Sequence, residues 1–150
     1  MRAVIQRVSK ASVSASPGYF QEIGQGLLVF IGIEQNDTYD EAVWLANKII
    51  NLRIFGDCNG LMNLSIQDIK GEMMIISQFT LHASTKKGNR PSFIRAASPE
   101  SALILYNKFI ELINSGLGTS AKTGKFGEHM DISLINSGPV TIIIDTKLKE

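Results

Sequence analysis

Apolar positions recur along this chain with two different periods, and the changes of period mark its elements. Residues 3–8 (AVIQRV) and 11–15 (ASVSA, alternating apolar and polar) read as two strands, and Pro17-Gly18 supplies a turn beyond them. Residues 26–33 (GLLVFIGI) are continuously apolar, which predicts a strand covered on both faces. The period then becomes helical. Thr38 and Glu41 stand at capping-box spacing, and Ala42, Leu45, Ala46 and Ile49 draw one buried stripe behind them. A short strand is expected at 52–55, closed by a turn around Cys58, and a stronger one at 73–79. A second helix is predicted from Ser98 as N-cap and Pro99 at its first position, with Ala102, Tyr106, Phe109 and Ile113 inward and its end near Gly116. Strands at 132–135 and 140–144 flank Gly138-Pro139. With no internal repeat and no linker, the expected fold class is α/β. It is a single layered β/β/α domain over 1–150, mostly β with a barrel-like core and two helices.

Composition narrows the function classes. An apolar content of 44% against 19% charged residues fits one globular domain and argues against disorder. The formal net charge of +1 exerts no global pull on nucleic acid or membrane, so a polyanion would need a local patch. Cys58 is the single cysteine, which excludes an internal disulfide framework and suits a reducing compartment. The opening MRAVIQRVSK lacks the apolar stretch of a signal peptide, so a cytoplasmic protein is expected. No metal and no cofactor are expected. The histidines are His82 and His129, outside any ligand-spaced cluster, and no phosphate-binding or dinucleotide glycine loop is present. Both histidines read as surface or rim residues. Ser77 and His82 fall at the same strand end, but Gly-x-Ser-x-Gly is absent and their relative geometry is open.

Three segments are candidates for chemistry. Ser77-Gln78-Phe79-Thr80-Leu81 carries hydroxyls and an amide out of a buried strand, where backbone N–H groups lose their partners and become available to a polar ligand or an oxyanion. An ordinary strand end, its hydroxyls bonded to local backbone, has the same pattern. Residues 84–95 (STKKGNRPSFIR) gather Lys86, Lys87, Arg90 and Arg95 with no acid and with Phe93 among them, a loop able to meet phosphates or equally to be solvated. Gly138-Pro139 has no reactive side chain. It can act only through backbone shape, which suits selection of a ligand by steric exclusion.

The strings SQFTL, KKGNRPSF, TGKFGEHM and NSGPVT, in this order, resemble the D-aminoacyl-tRNA deacylase family, and MRAVIQRVSKASV and IGQGLLVFIGIE are similar to it as well. The family commonly has an acidic residue where Ser137 stands before the Gly-Pro. The resemblance implies hydrolysis of the ester joining a D-amino acid to the terminal adenosine of tRNA, by a homodimer. In it the cis Gly138-Pro139 of one subunit enters the other's site, where its carbonyls accept from the α-ammonium and its backbone collides with an L side chain. Glycyl-tRNA would pass, having no side chain to clash. Thr80 matches a residue considered as nucleophile. The other implied route is water activated by the ribose 2′-hydroxyl, with the amides of Phe79 and Thr80 stabilising the oxyanion, and it is favoured because no base stands beside Thr80 in the sequence. Ser77 and Gln78 would orient the adenosine or the water. Leu81, Phe126, Gly127 and Met130 would line the substrate pocket, Arg7 would brace the incoming Gly-Pro loop, and Lys86, Lys87 and Arg90 would meet tRNA phosphates. A relaxed-chirality deacylase acting on L-alanyl-tRNA, a simple esterase using Thr80 or Ser77, and a non-catalytic nucleic-acid-binding module are the rival readings.

Overall fold

The computed structural model describes residues 1–149. In order it contains β1 (Arg2–Ala15), β2 (Tyr19–Ile23), β3 (Gly26–Gly32), α1 (Tyr39–Ile50), β4 (Phe55–Gly56), β5 (Met62–Leu64) and β6 (Glu72–Ser77). A 3-10 turn (Phe79–His82), α2 (Pro99–Leu117), β7 (Lys122–Thr123) and β8 (Asp131–Asp145) follow.

One long sheet organises the molecule. β3 and β6 run parallel at its centre, β1 pairs antiparallel with β3 through its first half and with β2 through its second, and β8 runs along the other edge of β1. The Tyr19 hydroxyl on β2 donates to the Thr123 carbonyl on β7 at 2.6 Å, which draws the two ends of the sheet together into a nearly closed barrel. Two layers of core result. Leu27, Val29, Ile31, Met73 and Ile75 pack outward against Leu45, Ile49, Tyr106, Phe109 and Ile113 of the helices. Leu28, Met74 and Ile76 point the other way, into the barrel, against Val8, Ala11, Val13 and Ile23. The unbroken apolar run in β3 follows from this double burial. Each such Leu or Ile contributes roughly 1.5–3 kcal/mol by leaving water.

The helices start where capping chemistry places them. Thr38 and Glu41 complete a reciprocal capping box, and the Ser98 side chain accepts from the Ser101 N–H with Pro99 behind it. α2 continues past Gly116, which packs against Ile50, and ends at Gly118 in the left-handed conformation.

Several strand expectations change. The segments 3–8 and 11–15 are one strand, and what separates them is bulged pairing with β8, with shifts between Gln6 and Val8 and between Val8 and Lys10. The bulges turn the strand over. Ala3 and Ile5 face the helices, whereas Val8, Ala11 and Val13 face the barrel interior. The expected strand at 52–55 shrinks to Phe55–Gly56, the one at 73–79 gives way after Ser77 to the 3-10 turn, and β2 was not anticipated. Among the described residues no helix is long and apolar enough to cross a membrane.

Candidate active site

At the end of β6 the Gln78 N–H makes a last ladder bond to the Ile31 carbonyl, 2.7 Å, and the chain then tightens into the 3-10 turn. The turn folds close over Gly32. A side chain there would meet the Gln78 carbonyl, the Leu81 Cβ and the His82 ring at about 3 Å, so glycine is what lets the turn lie on the strand. Within the turn the Leu81 N–H donates to Gln78 and the Ala83 N–H to Thr80. Neither Phe79 N–H nor Thr80 N–H has an acceptor among the described residues, which leaves two adjacent donors at the strand end. The Gln78 side-chain amide donates to the Thr80 hydroxyl oxygen. Among the described residues no histidine or carboxylate is bonded to Thr80, so its hydroxyl lacks there the neighbouring base that a nucleophile requires.

Beside the turn lies a cavity of about 590 Å³, lined by Ser77, Gln78, Phe79, Phe126, Gly127 and Met130 together with Phe93 and Ile132. Six expected site residues from two distant stretches of chain thus meet there. Phe79 is 57% exposed and stands edge-on to Phe93, ring centres 5.0 Å apart, an apolar wall open to a flat ligand. On the opposite wall Phe126 leans on Tyr106 at 5.5 Å. The buried Tyr106 hydroxyl donates to the Ile75 carbonyl at 2.9 Å, and burial pushes its ionisation well above the ordinary phenol range, so it remains a neutral donor.

Other expected residues lie elsewhere. Thr80 and Leu81 belong to the turn but do not line the cavity. Lys86, Lys87 and Arg90 are exposed on the adjoining loop, which Ser84 and Ser92 close with paired backbone bonds of 2.8 and 2.9 Å. Arg95 is not a free cation of that patch, since it faces Glu34 at 3.5 Å. His129 is exposed at the cavity rim, but His82 is not a rim residue. It is 2% exposed, and neither ring nitrogen has a hydrogen-bond partner among the described residues.

Gly138-Pro139 forms an exposed loop within β8, with its peptide bond cis. Arg7 holds this loop, donating from Nε to the Ser137 carbonyl at 2.8 Å and from a terminal nitrogen to the Ile54 carbonyl. The arginine expected to brace an incoming loop therefore braces the loop of its own chain. Asn136 completes the anchorage, accepting from the Val140 N–H at 2.7 Å and donating to the Val140 carbonyl at 3.1 Å. The loop and the turn are far apart. Ala3, Ile31, Ser77 and Ile144 share one register across the sheet, and Asn136, Val8, Gly26 and Glu72 share another five residues away. With the intervening strands, the loop lies on the order of 20 Å from the turn of its own chain.

A family model described as D-Tyr-tRNA(Tyr) deacylase matches residues 4–145. The chain belongs to the D-Tyr-tRNA(Tyr) deacylase family. A D-aminoacyl-tRNA deacylase of Flavobacterium psychrophilum is 55% identical over the full length of both chains, and one of Bacteroides fragilis is 53% identical, again over both full lengths. A solved structure described as a c-Myc DNA unwinding element binding protein superposes with a TM-score of 0.90 at 40% identity, covering 97% of this chain and 98% of its own. A probable eukaryotic D-amino acid tRNA deacylase, 15% identical, shares the fold at a TM-score of 0.84 over 95% and 97% of the two chains. As a member of the deacylase family the chain is a hydrolase acting on the ester bond of D-aminoacyl-tRNA.

Sequence reasoning did not pair Arg2 with Asp145, although Arg2 also holds the Leu81 carbonyl of the turn. They stand at opposite ends of the chain with no local pattern around either, and they meet because β1 and β8 pair, Arg2 opposite Asp145.

Proposed function

We propose that two copies of the chain build each active site, the strand-end turn coming from one and Gly138-Pro139 from the other. The separation of roughly 20 Å between these two features within one chain carries the reading. The loop is exposed and tightly braced, yet does not line the cavity of its own chain. Ile135 and Ile143, on the same strand to either side of it, are 60% and 68% exposed, apolar surface suited to a second copy.

In this reading the terminal adenosine lies between Phe79 and Phe126, with Gly127 and Met130 beneath it and Ser77 and Gln78 orienting it. The amides of Phe79 and Thr80 receive the charge that develops on the ester carbonyl oxygen. The ribose 2′-hydroxyl of the substrate activates the attacking water, since the turn's one imidazole, His82, is 2% exposed and does not line the cavity. Carbonyls of the second copy's Gly138-Pro139 loop hold the α-ammonium. With ammonium and ester both fixed, only hydrogen and side chain can exchange places. An L side chain then meets backbone, a D side chain has room, and glycine passes. Lys86, Lys87 and Arg90 receive the acceptor-stem phosphates in the cytoplasm.

The test is to offer D-tyrosyl-, L-tyrosyl- and glycyl-tRNA to the purified protein in parallel, with its mass measured by sedimentation. A dimer that hydrolyses the D and glycyl esters and spares the L ester is expected. Equal hydrolysis of the two tyrosyl enantiomers defeats the chirality claim. Turnover of L-alanyl-tRNA would favour a relaxed relative, and full activity as a monomer would remove the second copy from the site.

A further inference from the structure

We propose that Arg2 is a positioning residue for the strand-end turn, fixing the amides of Phe79 and Thr80 through the carbonyl of Leu81. Its catalytic consequence rests on the function proposed above. Its effect on the turn does not.

The turn has few internal supports. It is four residues long, and its bond from the Leu81 N–H to Gln78 is stretched to 3.2 Å. Arg2 Nη1 donates to the Leu81 carbonyl at 2.7 Å, and neither residue lines the cavity. The same guanidinium spends its other two nitrogens on one carboxylate oxygen, Nε at 3.1 Å and Nη2 at 2.7 Å from Asp145 Oδ2. Asp145 is itself fixed, its second oxygen accepting from the Lys147 N–H at 3.0 Å. Arg2 lies across from Gly32 on one side and Asp145 on the other, so this fork ties the turn to β1 and β8 at the rim where the turn crosses Gly32.

The chemistry needs this residue type. An arginine presents its donors in a rigid plane, so Nη1 reaches the carbonyl while Nε and Nη2 hold the carboxylate, whereas a lysine's three donors radiate from one nitrogen and cannot span the same two sites in this geometry. The pair is largely withdrawn from water, with the side chains 28% and 15% exposed, so the carbonyl bond is charge-assisted and poorly replaced by solvent. Oxyanion donors act only when aimed at the position the charge will occupy, and a displacement near 1 Å costs about a hundredfold in rate.

The experiment compares Arg2→Ala, Arg2→Lys and the neutral Arg2→Gln with wild type. It reads kcat and KM for D-tyrosyl-tRNA, thermal midpoint, and amide hydrogen exchange. Arg2→Ala is expected to lower kcat roughly ten- to hundredfold with KM within about twofold. Exchange should quicken about tenfold in the turn while the amides of β3 and β6 keep their protection. Arg2→Lys should keep the thermal midpoint but not kcat, a split that mere structural support does not produce. Unchanged kcat and unchanged turn exchange in a folded Arg2→Ala or Arg2→Gln protein overturns the proposal. So does a kcat that falls only with the folded fraction. If wild type fails to hydrolyse D-tyrosyl-tRNA at all, the functional reading fails, and the exchange data still decide whether Arg2 holds the turn.

Discussion

Arg7 donates to the carbonyl of Ser137 at 2.8 Å across the bulged stretch of β1 and β8, and its other arm reaches the Ile54 carbonyl. In the proposed function this loop selects by collision and so must not yield, and this arginine braces it. Charge-assisted bonds of this kind contribute about 1.5–3 kcal/mol each. Arg7→Ala is therefore expected to cut kcat/KM for D-tyrosyl-tRNA by more than about tenfold and to let some L-tyrosyl-tRNA through, because a loosened wall yields to the L side chain. Steady-state kinetics on both enantiomers checks this. An unaltered D/L ratio would separate Arg7 from selectivity.

Gly138 has φ of +147°, and a Cβ placed there lies 2.8 Å from the Val140 N and 3.0 Å from an Arg7 guanidinium nitrogen. Alanine cannot enter without moving backbone. Gly138→Ala should abolish most D-tyrosyl-tRNA turnover while shifting the melting temperature by only a few degrees, since the loop is exposed and buries little. Ser137→Ala is the informative companion. Only the carbonyl of Ser137 is used in bracing, so near wild-type activity is expected. Equal damage from both substitutions would mean that backbone shape is not what matters.

The legible parts of this fold were those with local causes. Thr38 with Glu41, and Ser98 with Pro99, announce helix starts because capping is settled within one turn. The run 26–33 announces double burial for the same reason. β2 escaped because YFQEI is short and half exposed, and its strand character comes from pairing with β1. The break in β1 was visible, but that it is a bulge rather than an end depends on β8, which lies more than a hundred residues away. Within the site the cavity residues came through as motifs. His82 read as a rim residue because nothing beside it in sequence tells that the turn will fold it against Gly32. Arg7 was tied to the Gly138-Pro139 loop, and the contact it makes is with the loop of its own chain, a distinction that sequence does not draw.

Thr80 accepts a hydrogen bond from the Gln78 amide and is bonded to no base among the described residues, so in the proposed mechanism it supports the turn and does not attack. Thr80→Ala removes one side-chain hydrogen bond, of about 1 kcal/mol, and leaves the backbone N–H in place. A loss of no more than about tenfold in kcat is expected in single-turnover hydrolysis of D-tyrosyl-tRNA. Near-total loss with tRNA binding intact would restore the hydroxyl as nucleophile.

Acid should destabilise the fold in a defined window. Glu41 is pushed up by burial, but the Thr38 N–H, the Thr146 hydroxyl and the nearby Met1 ammonium outweigh this and hold it below its ordinary value of 4.5. The hydrogen bond from Lys147 lowers Glu34 in the same way. Asp145, raised by burial, is brought below 3.8 by the Lys147 N–H and by Arg2. A carboxylate depressed in the folded state adds stability above its unfolded value and loses it as pH falls through the folded one. The melting temperature should thus be level above about pH 5 and decline below the ordinary values of 4.5 and 3.8. Glu41→Gln should flatten that decline. An equally steep fall in this variant would place the acid sensitivity elsewhere.

Lys86, Lys87 and Arg90 project from a loop closed by Ser84 and Ser92, in a chain whose net charge is only +1. Any attraction to tRNA must therefore come from local charge, and it should follow phosphates and not bases. Replacing all three by glutamine should weaken tRNA binding uniformly across tRNA species. It should also reduce the slope of log affinity against log salt by about 2 to 3, close to one per lost phosphate contact. Saturating tRNA should restore kcat, because these three residues lie outside the cavity proposed to hold the ester. A salt slope unchanged by the triple substitution would show that the phosphates are held elsewhere. A kcat that saturation does not restore would show instead that the loop shapes the cavity, through Phe93 and its edge contact with Phe79.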